Sequence, residues 1–523
     1  MTSVFKPFGV EGLYSRRDSK IELFHNQVTK YQGCFSIRTH FDTFGLHAIA
    51  NNIEAPAVVL DFPSRARFRK EIAKGYDYVG IGSIICNFQK VKAMVEDIHR
   101  ISPKSKVVIG GFCSTIPKIK EILNVDYVCV GEGISFMRGL LGEKPDFTFR
   151  QPDVVSRTKQ VLGVPVLWGD YHPYIIVGLG CSYGCDFCSP SHFFGRKHIR
   201  FLKTGDEIFN EMLRLGKKYC SNVFTMIGDD NFLLDKKRAR RLHDLIVKSG
   251  KQYNIFIFAS ADLVSEWEPA ELAEMGICNI WIGRESKFAP YRKNSSVNLK
   301  ELIAELRRHG IKVILSSILL LDCHTKENVW EDINDHIEAK PVFSQFSFYS
   351  PAPGTPLWDR MMEECRLIPG VPYEEMHAFK QPWFFHPEFT PEEAEKLQES
   401  AYLKEYHELG PGIVRFIEAD FEGYRHMKSS ARKTLRVRAE FLASQVSRYR
   451  AILLASEKLV PRVDMSRAIR ELRKKIEAEF GKTTPFEQAE AFGLYLFGKK
   501  QDFKMKYLSD AIQPKTRVTK YRC

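Results

Sequence analysis

At 523 residues the chain is long for one domain and comfortable for two or three of roughly 100–200 residues each. Hydrophobic residues make up 44% and charged residues 27%, ordinary globular usage that excludes disorder, collagen and coiled coil. The charge is uneven: residues 421–523 hold 24 basic and 11 acidic residues, the whole net +13, while residues 1–420 balance at 53 of each. No apolar run approaches the ~20 residues of a membrane span. The opening MTSVFKPFGVEG lacks the apolar stretch of a secretory leader. Twelve cysteines are too dilute for a disulfide scaffold, so they read as reduced thiols of a cytoplasmic protein, some of them metal ligands.

Over residues 1–150, short β-branched runs alternate with amphipathic helical patterns. The predicted strands are CFSIRT (34–39), PAVVLDF (56–62), YDYVGIGSII (76–85), KVVIGG (106–111) and DYVCVGEG (126–133). Between them, Val91, Met94, Val95 and Ile98 recur at helical spacing. Strands fed through helices predict an α/β, Rossmann-like (flavodoxin-like) parallel sheet with its ligand site at the strand carboxyl ends. Those ends carry Gly82-Ser83, Gly110-Gly111 and Gly131-Glu132, where glycine permits either a close ligand approach or simply a turn.

Residues 143–170 lose periodicity and read as a linker. Over 165–385 the alternation resumes, with strands expected at 174–180, 222–229, 254–261, 279–286, 312–321 and 344–351. Six such units predict a full or partial β/α (TIM-like) barrel whose chemistry lies at the strand carboxyl ends. Over 386–523 no further strand is expected. Thr390 and Glu393 form a capping-box pattern, and a later helix carries Ile469, Leu472, Ile476 and Phe480 on one face. Its other faces hold Arg467, Arg470, Arg473, Lys474 and Lys475. That helix reads either as domain packing with a solvated charged face or as a dock for an anionic surface: a lipid bilayer, an acidic partner or nucleic acid.

The sharpest local feature is CSYGCDFC, with Cys181, Cys185 and Cys188 directly after a strand. Three thiolates this close suit one soft metal centre. A structural zinc site with His192 or His198 as fourth ligand is one reading. A [4Fe–4S] cluster on three cysteines, with one iron open, is the other.

CSYGCDFC resembles the cluster motif of the radical S-adenosylmethionine (SAM) superfamily, including the aromatic Phe187 before the last cysteine. The resemblance implies that the open iron chelates SAM, which the reduced cluster cleaves to a 5′-deoxyadenosyl radical that removes hydrogen from a substrate. It also implies an external electron donor of the flavodoxin or ferredoxin type. Three further segments match in order. MIGDDNF implies that Gly228, Asp229 and Asp230 lie near the methionine amino group. IGRES implies that Glu285 reaches the cofactor ribose, and PAPGTPLW resembles the segment after the sixth strand. Residues 1–150 resemble the cobalamin-binding domain of one large branch, with VVIGGFCST followed by DYVCVGEGISF, and LGPGIVRFIEADFEGY resembles that branch's tail. Gly82, Ser83, Gly110, Gly111, Gly131 and Glu132 are then the expected cobalamin contacts. No Asp-x-His-x-x-Gly is present, so no histidine is offered as the lower ligand of cobalt.

The expected activity is methylation of an unactivated carbon of a small molecule or lipid. A radical cyclisation or rearrangement stays open beside it. So does a transfer-RNA methylthiotransferase with a second cluster on Cys34, Cys86 and Cys113, and so does a non-enzymatic metal protein that binds nucleic acid. Cys129, Cys220, Cys278, Cys323, Cys365 and Cys523 read as core or surface thiols.

Overall fold

The computed structural model describes residues 1–6, 30–36, 38–40, 43–156, 158–162, 164–165, 171–289, 291, 293, 297–508 and 514–522. A parallel sheet forms first from β1 (Ala57–Asp61), β2 (Tyr78–Gly82), β3 (Lys106–Gly110) and β4 (Tyr127–Val128). The extended segment Met1–Phe5 lies between β1 and β2, because Thr2 bridges Leu60 on one side and Ile81 on the other. Counting that segment as the first strand, the order is the 2-1-3-4-5 of flavodoxin-like sheets. The expected first strand at 34–39 is not there. Lys30–Phe35 is a 3₁₀ segment, and Arg38–His40 pairs antiparallel with Thr158–Val161. Short strands also run through 155–165, where a featureless linker was expected. Helix Phe88–Ile101 covers one face of the sheet, burying Val91, Met94, Val95 and Ile98 as the spacing predicts. Each such side chain contributes ~1.5–3 kcal/mol relative to exposure.

The second sheet holds six parallel strands in sequence order, closed as a partial barrel. They are β5 (His172–Gly180), β6 (Val223–Asp229), β7 (Asn254–Phe258), β8 (Ile277–Glu285), β9 (Lys312–Leu319) and β10 (Phe343–Phe348). All six match the expected positions. Their helix-facing residues and the covering helices make one core, including Val177, Phe224, Ile257, Ile282 and Leu315.

Beyond residue 390 the chain is largely helical, opening with the expected capping box. Thr390 Oγ1 accepts from Glu393 N at 3.2 Å, and Glu393 Oε2 accepts from Thr390 N at 2.9 Å. The GPGIVRFIEADFEGY segment has a structural task. Helix Gly412–Met427 lies across the amino ends of the barrel strands, where Asp420 pairs with Lys312 at the start of β9, both buried. Helix Val463–Phe480 is a packing helix. Ile469, Leu472 and Ile476 are buried, Arg470 and Arg473 pair with Glu457, and Lys474 pairs with Glu471. Strands do not end at residue 390: β11 (Arg517–Tyr521) returns to pair antiparallel with β1, so this remote segment joins the first sheet at its edge. Among the described residues no helix is long and apolar enough to cross a membrane.

Candidate active site at the junction of the two sheets

The cysteine loop follows β5 and folds on its own backbone. Cys188 N donates to Cys185 O at 3.0 Å, Ser191 Oγ donates to Cys181 O at 2.7 Å, and Cys188 caps the short helix Ser189–Phe193. Two tyrosines hold the loop from the barrel side: Tyr291 Oη donates to Asp186 Oδ1 at 2.9 Å and Tyr349 Oη to Asp186 Oδ2 at 2.6 Å. The PAPGTPLW segment adds Leu357 N, which donates to Asp186 O at 3.2 Å. Phe187 stacks edge-on against both tyrosine rings, with centroids 5.2 and 6.2 Å away.

Burial pushes all three thiols up, Cys188 to about 12, so without metal they are protonated and metal binding must release protons. Lys293 offsets this, since its charge favours each thiolate. Against its own burial, the Glu285 carboxylate beside it holds Lys293 above the ordinary lysine range. Its Nζ pairs with Glu285 and lies 5.8 Å from the Phe187 ring centroid. Glu285 itself ends β8 with φ +59°, a costly backbone state for a non-glycine residue. Its neighbours hold it there: Arg284 pairs with Asp332 at 2.7 Å and Asp335 at 2.6 Å, and Ser286 Oγ lies 3.3 Å from His324 Nε2.

The two aspartates after β6 divide their roles. Asp229 is fully buried, paired with Arg238, and 3.1 Å from His198 Nε2. Against burial, the adjacent His198 ring and the Arg238 charge keep its carboxyl below the usual range. Within the protein Asp229 faces Arg238 and His198 and anchors the turn. Asp230 opens into a cavity while hemmed in by protein, and burial together with the Asp229 charge raises it to about 7. Gly228 takes φ +82°, and a Cβ there would sit 2.4 Å from Gly178 O on β5, so only glycine lets the two strands meet.

That cavity, of ≈ 610 Å³, joins the two sheets. Gly82, Ser83, Gly110, Gly111, Gly131 and Glu132 line it from the first sheet, and Gly228 and Asp230 line it from the barrel. Phe112, Phe193 and Phe258 make the wall predominantly apolar. The glycines are not equivalent. A Cβ on Gly110 would meet only Cys129 Cβ, at 3.8 Å, and would otherwise project freely. On Gly111, at φ +73°, it would lie 2.4 Å from Ser83 O, so this glycine serves the turn. Glu132 caps helix Gly133–Leu140, accepting from Ser135 N at 2.8 Å. The Gly110 cradle and the open strand ends leave room for a large planar ligand, and three cysteines in one loop supply the donor atoms a cluster takes.

Other metal arrangements fare worse. His192 Nε2 lies 3.0 Å from Cys185 O and His198 faces Asp229, so neither offers the fourth ligand of a zinc site. Among the described residues, the three loop cysteines included, no group of three or more His, Cys, Asp or Glu already converges on one ion position. Cys34 and Cys113 lie in different cores, so they do not share a second cluster with Cys86. Lys293, Tyr291 and Tyr349 were not legible as site residues. No motif marks them, and only the fold brings them to the cysteines.

Residues 175–336 match the family described as the Radical SAM superfamily. Over 365 residues the chain is 26% identical to the bacteriochlorophyllide d C-12(1)-methyltransferase of Chlorobaculum tepidum, covering 63% of this chain and 75% of that protein. Over 201 residues it is 29% identical to the hopanoid C-2 methylase of Rhodopseudomonas palustris, covering 36% and 37%. The fold is that of the radical SAM methyltransferase TsrM of Kitasatospora setae, whose structure holds cobalamin and a [4Fe–4S] cluster. The TM-score is 0.52 at 14% identity, over 77% of this chain and 96% of that one. Residues 175–336, most of the barrel, are thus a radical SAM domain, and the α/β sheet before it and the barrel together share the fold of that neighbour.

Proposed function

We propose that the chain is a cobalamin-dependent radical SAM methyltransferase acting on an unactivated carbon of a small apolar or lipid-like molecule. The observation that carries this reading is an apolar cavity lined at once by the strand ends of the first sheet and by Gly228 and Asp230 of the barrel. When bound, the cluster with SAM supplies a radical that removes hydrogen, and cobalamin supplies the methyl group.

The chain's own residues do the rest. Cys181, Cys185 and Cys188 would hold the cluster, with Lys293 favouring their thiolates. Asp230, fixed by the Asp229–Arg238 pair behind it, would receive the SAM ammonium, with Phe187, Gly228 and Glu285 beside it. Gly82, Ser83, Gly110, Gly111, Gly131 and Glu132 would seat cobalamin, Gly110 giving the closest approach. The phenylalanine walls would exclude water from a radical. The reading needs an external one-electron donor of flavodoxin or ferredoxin type and no nucleic acid. It also places the protein in the cytoplasm, consistent with the eleven free cysteines among the described residues.

The test is anaerobic reconstitution with iron, sulfide and hydroxocobalamin, then comparison of cell extracts with and without the gene after feeding methyl-labelled methionine. Cobalamin uptake, and a labelled product present only with the gene, are expected. A protein that takes up no cobalamin and still converts its substrate would point instead to a radical cyclisation or rearrangement.

A further inference from the structure

The helix Pro485–Tyr507 has two apolar faces. One is used: Ala491, Gly498 and Gln501 are buried, and Gly498 approaches Leu459 so closely that a Cβ would lie 2.7 Å from it. Asp502 on the same side accepts from Cys34 N at 2.8 Å. The opposite face is bare. Phe492, Leu496, Phe503 and Tyr507 are 60%, 51%, 57% and 61% exposed, and at 3.6 residues per turn they fall within roughly 60° of one another. Such a stripe of large side chains in water is the informative kind of exposure.

Its surroundings select the partner. Lys499 and Lys506 flank the stripe on one side and Lys500 and Lys504 on the other, all exposed and none ion-paired among the described residues. The helix's acidic residues, Glu487, Glu490 and Asp502, lie toward the buried side. An aromatic stripe edged by lysines suits a helix lying in the plane of a membrane surface, with its rings among acyl chains and its ammonium groups at phosphates. A second feature adjoins it: a cavity of ≈ 600 Å³ to which Lys458, Lys482 and Phe492 contribute, with the Arg473–Glu477 pair in its wall. We propose that helix Pro485–Tyr507 docks this protein on anionic lipid bilayers through Phe492, Leu496, Phe503 and Tyr507. The inference stands apart from the methyl-transfer reading, and it replaces helix Val463–Phe480, whose basic residues Arg470, Arg473 and Lys474 are paired within the protein, as the docking element.

The experiment floats the anaerobically purified full chain with vesicles of phosphatidylcholine alone and of phosphatidylcholine with about 30% phosphatidylglycerol, at low and high salt. The wild type is expected to float with the anionic vesicles and to release at high salt. The triple variant Phe492→Ser, Leu496→Ser, Phe503→Ser, with iron content and melting unchanged, should lose binding at least tenfold. Replacing the four lysines by glutamine should cost roughly fivefold per lysine. Should the triple variant fold poorly, Phe503→Trp serves instead. Its emission, as a difference from wild type, should shift to the blue with anionic vesicles only. Three outcomes would overturn the proposal: no binding to anionic vesicles, an emission that does not move, or a lipid-free dimer that the serine variant abolishes.

Discussion

Replacing each of the adjacent aspartates 229 and 230 by asparagine should give opposite results. The Asp229 carboxylate and the Arg238 guanidinium are both wholly inaccessible to solvent. Removing one charge strands the other, a loss of about 3–5 kcal/mol, a large share of the ~5–15 kcal/mol that holds a domain folded. Asp230 is destabilised where it stands. Its pKa rises from 3.8 to about 7, so its folded state keeps the proton over that interval. The stability this represents is complete below pH 4 and is lost as pH rises through 7. Fully converted, the shift is worth ~4 kcal/mol, but the side chain opens onto solvent in the cavity, and screening reduces the figure to about 1 kcal/mol. Asp230→Asn should therefore match wild type in urea melts at pH 4.5 and exceed it by about 1 kcal/mol at pH 8. Its iron content should hold while SAM affinity falls about tenfold or more, the loss of one charge-assisted hydrogen bond. Asp229→Asn should melt early at both pH values and lose iron with the fold. Equal destabilisation by the two variants, or an Asp230→Asn gain that ignores pH, would refute this division of roles.

Three other outcomes are expected. Cys181→Ala, Cys185→Ala and Cys188→Ala should each remove most of the ~four irons per chain, read by iron assay and loss of brown colour. Gly110→Val should lower cobalamin uptake by titration while sparing iron. Gly111→Val should instead reduce soluble yield, because its new side chain would run into the Ser83 backbone. Val518→Pro, in the middle of β11, should release that strand from β1, lowering the melting temperature and cobalamin uptake together, with the SAM-site iron retained.

The barrel was legible because its strands are short β-branched or aromatic runs separated by helical stretches, and periodicity reports such alternation directly. The first strand position was not. Val4 and Phe5 are two buried residues before a proline, too short a pattern to outweigh CFSIRT, which mimics a strand. At the opposite end, RVTKY alternates half-buried and exposed residues at a sheet edge and reads as part of a basic tail. The same logic divides the site. Cysteines within one loop announce themselves locally, whereas Asp229 and Asp230 look alike until the helix bearing Arg238 folds behind one of them. Lys293 reaches Glu285 and the thiols through a loop with no sequence signature.

Strand β11 also sets a schedule for synthesis. The first sheet is assembled from residues near the start of the chain, yet one of its edge strands is drawn from residues 517–521. At ~5–20 residues per second, the ribosome needs roughly half a minute or more to reach them. Through that interval β1 presents a row of unpaired amide and carbonyl groups to the crowded cell. Any chain released short of residue 517 keeps that edge, so truncated products should be the ones that chaperones retain and proteases clear.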